Sequence, residues 1–328
     1  MSFLVLGSNS FSAGSFINHL LEKEDSKIYA ISRSEEYNKT QLSYKNHKKK
    51  DRVQFLQLDL NDNLEEIVSL IKNEKIKYII NFAAQGMVAQ SWDNPNQWFN
   101  TNTLAIVNLI DKIYKFDFIK KFVQVSTPEV YGPCDNIKET MTFKPSSPYA
   151  ASKASADLIL YSYFTTHGFP INFTRASNVY GAYQQLYRII PKTILMIKKQ
   201  EKLQLHGGGK AIRSFIHIDD ISTATLTIAK NAKAGEIYHL SDDKTISIYE
   251  LVNMICNQMN TKIEDNIEIT EDRVGQDSLY LMNNEKLFND FQLKPQIKLK
   301  DGIQETINWI EENYDILKEC PDYYIHKK

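Results

Sequence analysis

The chain has 328 residues, 42% hydrophobic and 24% charged, enough to bury a full core and too apolar for a disordered protein. Its 39 Lys and Arg nearly balance its 40 Asp and Glu, so no overall field favours nucleic acid or an anionic membrane surface. Three cysteines, Cys134, Cys256 and Cys320, lie far apart without metal-ligand spacing, so no metal is expected and a reducing, cytoplasmic setting is the plain inference.

The chain opens directly on an apolar strand, without a basic leader, and no later run approaches ~20 apolar residues, so neither secretion nor a membrane span is expected. Short β-branched runs recur at Phe3–Leu6, Ile28–Ile31, Val53–Leu56, Tyr78–Phe82, Phe122–Val125 and Ile171–Thr174. Helical spacing fills the intervals, as in Phe16–Leu21, Leu64–Ile71 and Ile106–Ile113. This alternation predicts an α/β fold, a doubly wound parallel sheet covered on both faces by helices, with ligands at the carboxyl ends of the strands. Past about Asn178 the alternation weakens. A first domain is expected over 1–177 with a return segment near 211–232, and a smaller mixed α/β substrate lobe over 178–210 and 233–328.

The first strand is followed by Gly7-Ser8-Asn9-Ser10-Phe11-Ser12-Ala13-Gly14. Gly7 suits the tight turn of a phosphate-binding loop, and Ser10 and Ala13 are small enough for the other two places, although small polar residues also make ordinary strand-to-helix turns. The second strand ends Ile31-Ser32-Arg33-Ser34, where NAD readers often carry an acid for the ribose 2′-hydroxyl. Glu35 and Glu36 come later, so Arg33 with Ser32 favours NADP over NAD, the alternative for Arg33 being a solvated loop cation. Asp59-Leu60 fits an adenine-side contact or the start of a helix cap. The basic run Lys45 to Arg52 has no interleaved aromatics and reads as a solvated loop.

Two later segments carry chemistry. Ser126-Thr127-Pro128-Glu129-Val130-Tyr131-Gly132 ends the fifth strand, and Ser147-Pro148 caps a helix that begins Tyr149-Ala150-Ala151-Ser152-Lys153. Tyr149 and Lys153 share one helix face, and a phenol with a reference pKa of about 10 needs a nearby cation to act as a base at neutral pH. Lys153 is the expected cation and is also suited to holding the nicotinamide ribose. Thr127 is placed to hydrogen-bond the same substrate oxygen. Taken alone, Tyr149 and Lys153 would be ordinary surface and packing residues. Their order behind a dinucleotide turn and a strand-end hydroxyl makes the constellation.

These residues resemble the extended short-chain dehydrogenase/reductase family, and within it the NAD(P)-dependent nucleotide-sugar 4,6-dehydratases. The resemblance spans almost the whole chain and rests on Gly7 to Ala13, Asn81 to Gln85, Ser126 to Gly132, Tyr149 to Lys153, Asn178 to Gly181, Arg213 to Phe215 and Arg273 to Asp277, with Ile31 to Ser34 and Gln85 to Trp92 closest to the GDP-mannose dehydratase branch. It implies a Rossmann-like fold and a homodimer, or a higher homo-oligomer, built on helices around Trp98–Lys115 and Tyr149–Thr165. It further implies cofactor contacts from Gly7, Ser10, Phe11, Ser12, Ser32, Arg33, Asp59, Leu60, Ala83, Ala84, Gln85, Tyr149 and Lys153. Substrate contacts would come from Met87, Asn178, Arg188, Arg213 and Arg273. For any single Arg a surface salt bridge is a competing role, and Gly207 to Gly209, before Lys210 and Arg213, fit either close ligand approach or a hairpin turn.

In that family a hydride leaves C4 of the sugar, a carboxylate takes the C5 proton, the C6 hydroxyl departs as water and the hydride returns to C6. Glu129 matches the family's base and Pro128 departs from its pattern, since relatives carry Asp or Ser there. Proline donates no proton, so either Glu129 serves both proton steps or a bound water assists. The expected function is dehydration of a nucleotide-linked hexose, GDP-linked on the branch resemblance, for surface glycan synthesis. The alternatives are a C4 or C3/C5 epimerase or a UDP-glucuronate decarboxylase, and more remotely a silent dinucleotide sensor.

Overall fold

The structure is a computed structural model, and it describes residues 1–271 and 280–326. In chain order the strands are β1 (Ser2–Leu6), β2 (Lys27–Ser32), β3 (Val53–Gln57), β4 (Tyr78–Asn81), β5 (Lys121–Val125), β6 (Cys134–Ile137), β7 (Ile171–Ala176), β8 (Asn178–Tyr180), β9 (Leu203–His206), β10 (Ile212–His217), β11 (Ile237–Leu240), β12 (Thr245–Ser247), β13 (Ile267–Thr270) and β14 (Tyr280–Met282). Seven of them form a parallel sheet in the order β11-β7-β5-β4-β1-β2-β3. The winding direction reverses between β1 and β4, which places a crevice at their carboxyl ends.

The apolar runs are continuous because both faces of this sheet are buried. Leu4, Leu6, Ile31, Ile79 and Phe122 point to one face and meet Ile67, Ile106, Leu109, Ile110 and Leu160 of the helices Leu64–Asn73, Ala105–Ile113 and Pro148–His167. Phe3, Val5, Ile28, Ala30 and Ile80 point to the other, against Phe16 and Leu20 of helix Phe11–Lys23 and Leu226 and Ala229 of helix Ile218–Asn231.

All six expected strands lie in this sheet. The seventh, β11, falls within the stretch assigned by sequence to the second lobe, and instead pairs with β7. Gly235 makes that return possible: its φ is +86°, its N–H donates to the Ile171 carbonyl at 2.6 Å, and a Cβ there would run into the Phe164 ring.

The remaining strands form a three-stranded β12-β10-β8 sheet and the pairs β13-β9 and β14-β6. Helices Ile189–Lys199, Ile248–Gln258 and Leu299–Glu312 bury Ile194, Leu251, Ile255, Ile303 and Ile310 against one another as a second core. Gly207 to Gly209 do not close a hairpin, because β9 pairs with β13 and β10 with β8 and β12. Among the described residues no helix is long and apolar enough to cross a membrane, and Cys134, Cys256 and Cys320 are free thiols.

Candidate active site

The carboxyl ends of β1 to β5 bring the sequence-predicted residues to one edge of the sheet. Gly7 has φ +79°, and a Cβ would lie 2.6 Å from the Ala83 nitrogen, so only glycine lets the β1 turn approach the β4 loop this closely. Ser10 caps helix Phe11–Lys23: its Oγ accepts from Ala13 N–H at 3.3 Å and donates to the Gly7 carbonyl at 2.8 Å. Phe11 is buried and Ser12 half-buried. The Ser8 hydroxyl is buried at this helix start without a hydrogen-bond partner among the described residues. A side-chain-free cradle, an orphaned hydroxyl and a helix N-terminus fit a dinucleotide pyrophosphate.

At the end of β2, Arg33 Nη2 lies 3.4 Å from Gln85 Oε1, across the crevice. Glu36 is held away by Tyr44, whose hydroxyl donates at 2.6 Å, and by Lys45 Nζ at 2.7 Å, while Glu35 is exposed. Asp59 spends one carboxylate oxygen on an Asx turn, accepting from Asn61 N–H at 2.7 Å, and Leu60 is buried beside it. After β4, Ala83 is half-buried, Ala84 exposed and Gln85 buried; Met87 takes a left-handed φ of +69°, a conformation that stores strain near sites.

Thr127 and Glu129 occupy one tight turn. Pro128 stands at its first position, where a missing N–H leaves nothing unsatisfied, and Thr127 Oγ1 accepts from Glu129 N–H at 3.5 Å. Proline's fixed φ therefore sets the spacing between hydroxyl and carboxylate. Helix Pro148–His167 starts with Ser147 Oγ accepting from Ala150 N–H at 3.2 Å. Its Tyr149 phenol is pushed up by burial and then by the Glu129 carboxylate, and drawn down by a hydrogen bond with Thr127 and by the Arg188 charge.

Lys153, the cation expected beside this phenol, stands one helix turn further on. Lys153 is buried and turns its Nζ to the Val125 carbonyl at 2.8 Å, because a desolvated ammonium takes the acceptor nearest to it. Burial pushes it down to about 8, against the raising effect of Asp157 and Glu129.

A buried polar chain, absent from the sequence reading, grips the Thr127 turn at both ends. Ser126 Oγ donates to Asp157 Oδ2 at 2.7 Å, and Arg175 Nη2 reaches the same oxygen at 2.9 Å. Arg175 also donates to the Tyr131 hydroxyl and to the Thr140 carbonyl at 2.9 Å, and Tyr131 Oη lies 2.7 Å from His239 Nε2. Burial pushes His239 down to about 4. Asn102, on a π-helical stretch, was likewise missed. It holds the Gln85 backbone through bonds of 2.7 and 3.0 Å and Ser152 Oγ at 2.9 Å, tying the β4 loop to the Tyr149 helix. Buried Asn and Asp inside helical patterns, at 102 and 157, were the available signals.

Of the expected substrate residues, Arg188 is within electrostatic reach of Tyr149. Asn178 and Arg213 lie on β8 and β10 of the second lobe; Asn178 donates to the Ser214 carbonyl at 3.1 Å and Arg213 to the Ile212 carbonyl at 2.8 Å. Arg273 lies outside the described residues.

The arrangement offers a dinucleotide cradle beside a hydroxyl, a carboxylate and a phenol. A profile of the family described as GDP-mannose 4,6 dehydratase matches residues 4–306. The chain is 30% identical over 318 residues to the dTDP-D-glucose 4,6-dehydratase of Homo sapiens, covering 95% of this chain and 90% of that one. It is similar in structure to DesIV, a dTDP-glucose 4,6-dehydratase of Streptomyces venezuelae solved with NAD bound, with a TM-score of 0.87, 27% identity and coverage of 96% and 98%. It is also similar to the dTDP-glucose 4,6-dehydratase of Bacillus anthracis in complex with NAD, with a TM-score of 0.85, 30% identity and coverage of 96% and 98%.

Proposed function

The chain belongs to the GDP-mannose 4,6 dehydratase family, and from that membership we propose that it is a nicotinamide-dependent enzyme removing water across C5 and C6 of a nucleotide-linked hexose. The observation that carries this reading is the single turn holding Thr127 and Glu129 against Tyr149. When bound, the dinucleotide would supply the hydride acceptor for C4 and the hydride donor for C6, with Gly7, the Ser8 hydroxyl and the helix start at Phe11 around its phosphates and Lys153 at its ribose.

The residues divide the proton work. Tyr149, hydrogen-bonded with Thr127 and facing the Arg188 charge, takes the C4 hydroxyl proton. The resulting 4-ketone acidifies C5, and the Glu129 carboxylate removes that proton. Pro128 carries no donor, so the proton on Glu129 is the one delivered to the departing C6 oxygen. A missing second donor costs about 10²–10⁴ in rate at most and does not forbid the reaction.

Arg33 at the end of β2, with Glu36 taken up by Tyr44 and Lys45, supports NADP, whereas the two structural relatives named above were solved with NAD. Arg33→Ala lowers NADP affinity by about tenfold and leaves NAD affinity nearly unchanged on this reading. The family description names a GDP-sugar and the relatives dTDP-sugars, so the base is tested and not assumed. Leu104 and Leu158, 51% and 50% exposed on adjacent helices, support a homodimer through those helices, which Leu158→Asp would dissociate.

The test is incubation with dTDP-glucose, UDP-glucose and GDP-mannose and each dinucleotide, read by mass spectrometry. A product lighter by one water is expected. Unchanged mass with inverted stereochemistry would mean epimerisation, loss of carbon dioxide from a glucuronate substrate would mean decarboxylation, and no turnover at all would favour a sensor.

A further inference from the structure

The segment Pro321–His326 lies beyond the residues matched by the family profile, 4–306, so no role for it comes with family membership. Its residues alternate exposed and half-buried, the period of an extended chain lying on a surface. Each inward residue has a partner. Asp322 Oδ2 pairs with Lys199 Nζ at 3.0 Å on a second-lobe helix. Tyr324 meets the Tyr187 ring edge to face, with centroids 5.7 Å apart. His326 stacks on Trp98 at 5.2 Å and 6°, and its Nε2 lies 2.5 Å from Gln97 Oε1 in the first domain. The Tyr324 hydroxyl, 3.2 Å from His326 Nδ1, links the last two anchors.

The segment therefore runs from one lobe to the other, and its middle anchor falls where the crevice opens. Arg188 lies over the same Tyr187 ring that Tyr324 touches, at 5.4 Å. Burial raises the Tyr324 phenol, and the charges of both Arg33 and Arg188 act on it in the opposite direction. Tyr324 thus stands within reach of the guanidinium expected on the cofactor side and of the one expected on the substrate side.

We propose that Pro321–His326 is a strap forming the outer wall of the nucleotide-sugar cleft, and that Tyr324 contacts the nucleoside diphosphate beside Arg188. This rests on the function proposed above. A guanidinium over one aromatic ring, with a second ring edge to face on the first, matches such a ligand, with a fork for the diphosphate and ring faces for the base or ribose. The anchors are few, one partly exposed ion pair, two ring contacts and the hydrogen bond to Gln97, so the strap can lift for entry and reseat over the bound ligand.

The test is calorimetric titration of the full-length, dinucleotide-loaded protein with dTDP, UDP and GDP. Tyr324→Ala should weaken whichever diphosphate binds by about tenfold or more, Tyr324→Phe should recover most of that loss, and Tyr323→Ala, on the outward face of the same strap, should stay within about twofold. Dinucleotide affinity should be unchanged in all three. Equal diphosphate affinity in Tyr324→Ala overturns the strap and leaves the nucleotide-sugar reading standing. Failure of all three diphosphates to bind the unsubstituted protein overturns that reading and the strap with it.

Discussion

Asp157 and Arg175 form an ion pair, Oδ2 to Nη2 2.9 Å, in which neither side chain retains any exposed surface. Asp157 takes Ser126 at the start of the Thr127 turn, and Arg175 takes Tyr131 at its end. The pair acts as a clamp on the turn that carries the proposed acid-base residues.

Asp157→Asn keeps the shape of the side chain but leaves the Arg175 charge buried and unpaired. A loss of about 3–5 kcal/mol in unfolding free energy is expected, measurable by denaturant titration. Adding Arg175→Met should cost less than the sum of the two single changes, since the second removes the orphaned charge.

Stability should fall as pH drops from 6.5 toward 4. His239 is pushed down from 6.5 to about 4 by burial, so over that window the unfolded chain binds a proton that the native state refuses. The contribution is about 3 kcal/mol, present at neutral pH and lost by pH 4. In His239→Gln the slope of unfolding free energy against pH over this window should flatten.

Activity should decline as pH rises through about 8, where Lys153 loses its charge. Over the range from about 8 to 10.5 the unfolded chain holds more protons at this position than the native one, so its contribution to stability rises as activity falls. A basic limb in kcat/KM without loss of secondary structure is the expected signature. Lys153→Arg should move that limb upward, whatever its effect on rate.

Gly7→Ala should abolish dinucleotide binding and lower the melting temperature. The added Cβ at φ +79° would meet the β4 loop backbone at 2.6 Å, and backbone cannot step aside as a flexible side chain could. Equilibrium binding of the reduced dinucleotide, followed by its fluorescence, checks this.

The sheet was legible because burial on both faces left unbroken apolar runs, and the helix at Tyr149 because Ser147 and Pro148 announce its start. β11 was missed because Ile237–Leu240 follows Gly235 inside a stretch where the alternation had already faded. The Asp157, Arg175, Tyr131 and His239 chain was illegible for another reason. Its members come from four separate elements, and each alone looks like an ordinary polar residue. The spacing of Tyr149 and Lys153 placed both on one helix face, whereas the bond from Lys153 Nζ to the Val125 carbonyl is a feature of the folded strand end that no spacing shows.

On the proposed mechanism Glu129 carries elimination in a turn where Pro128 offers no donor. Comparing the wild type with Glu129→Gln on the same nucleotide-linked hexose, with product mass and reduced-dinucleotide absorbance followed together, tests it directly. The wild type should give a product lighter by one water, while Glu129→Gln should reduce dinucleotide slowly and leave the sugar's C6 hydroxyl in place. Dehydration at an undiminished rate in Glu129→Gln would remove Glu129 from the elimination step.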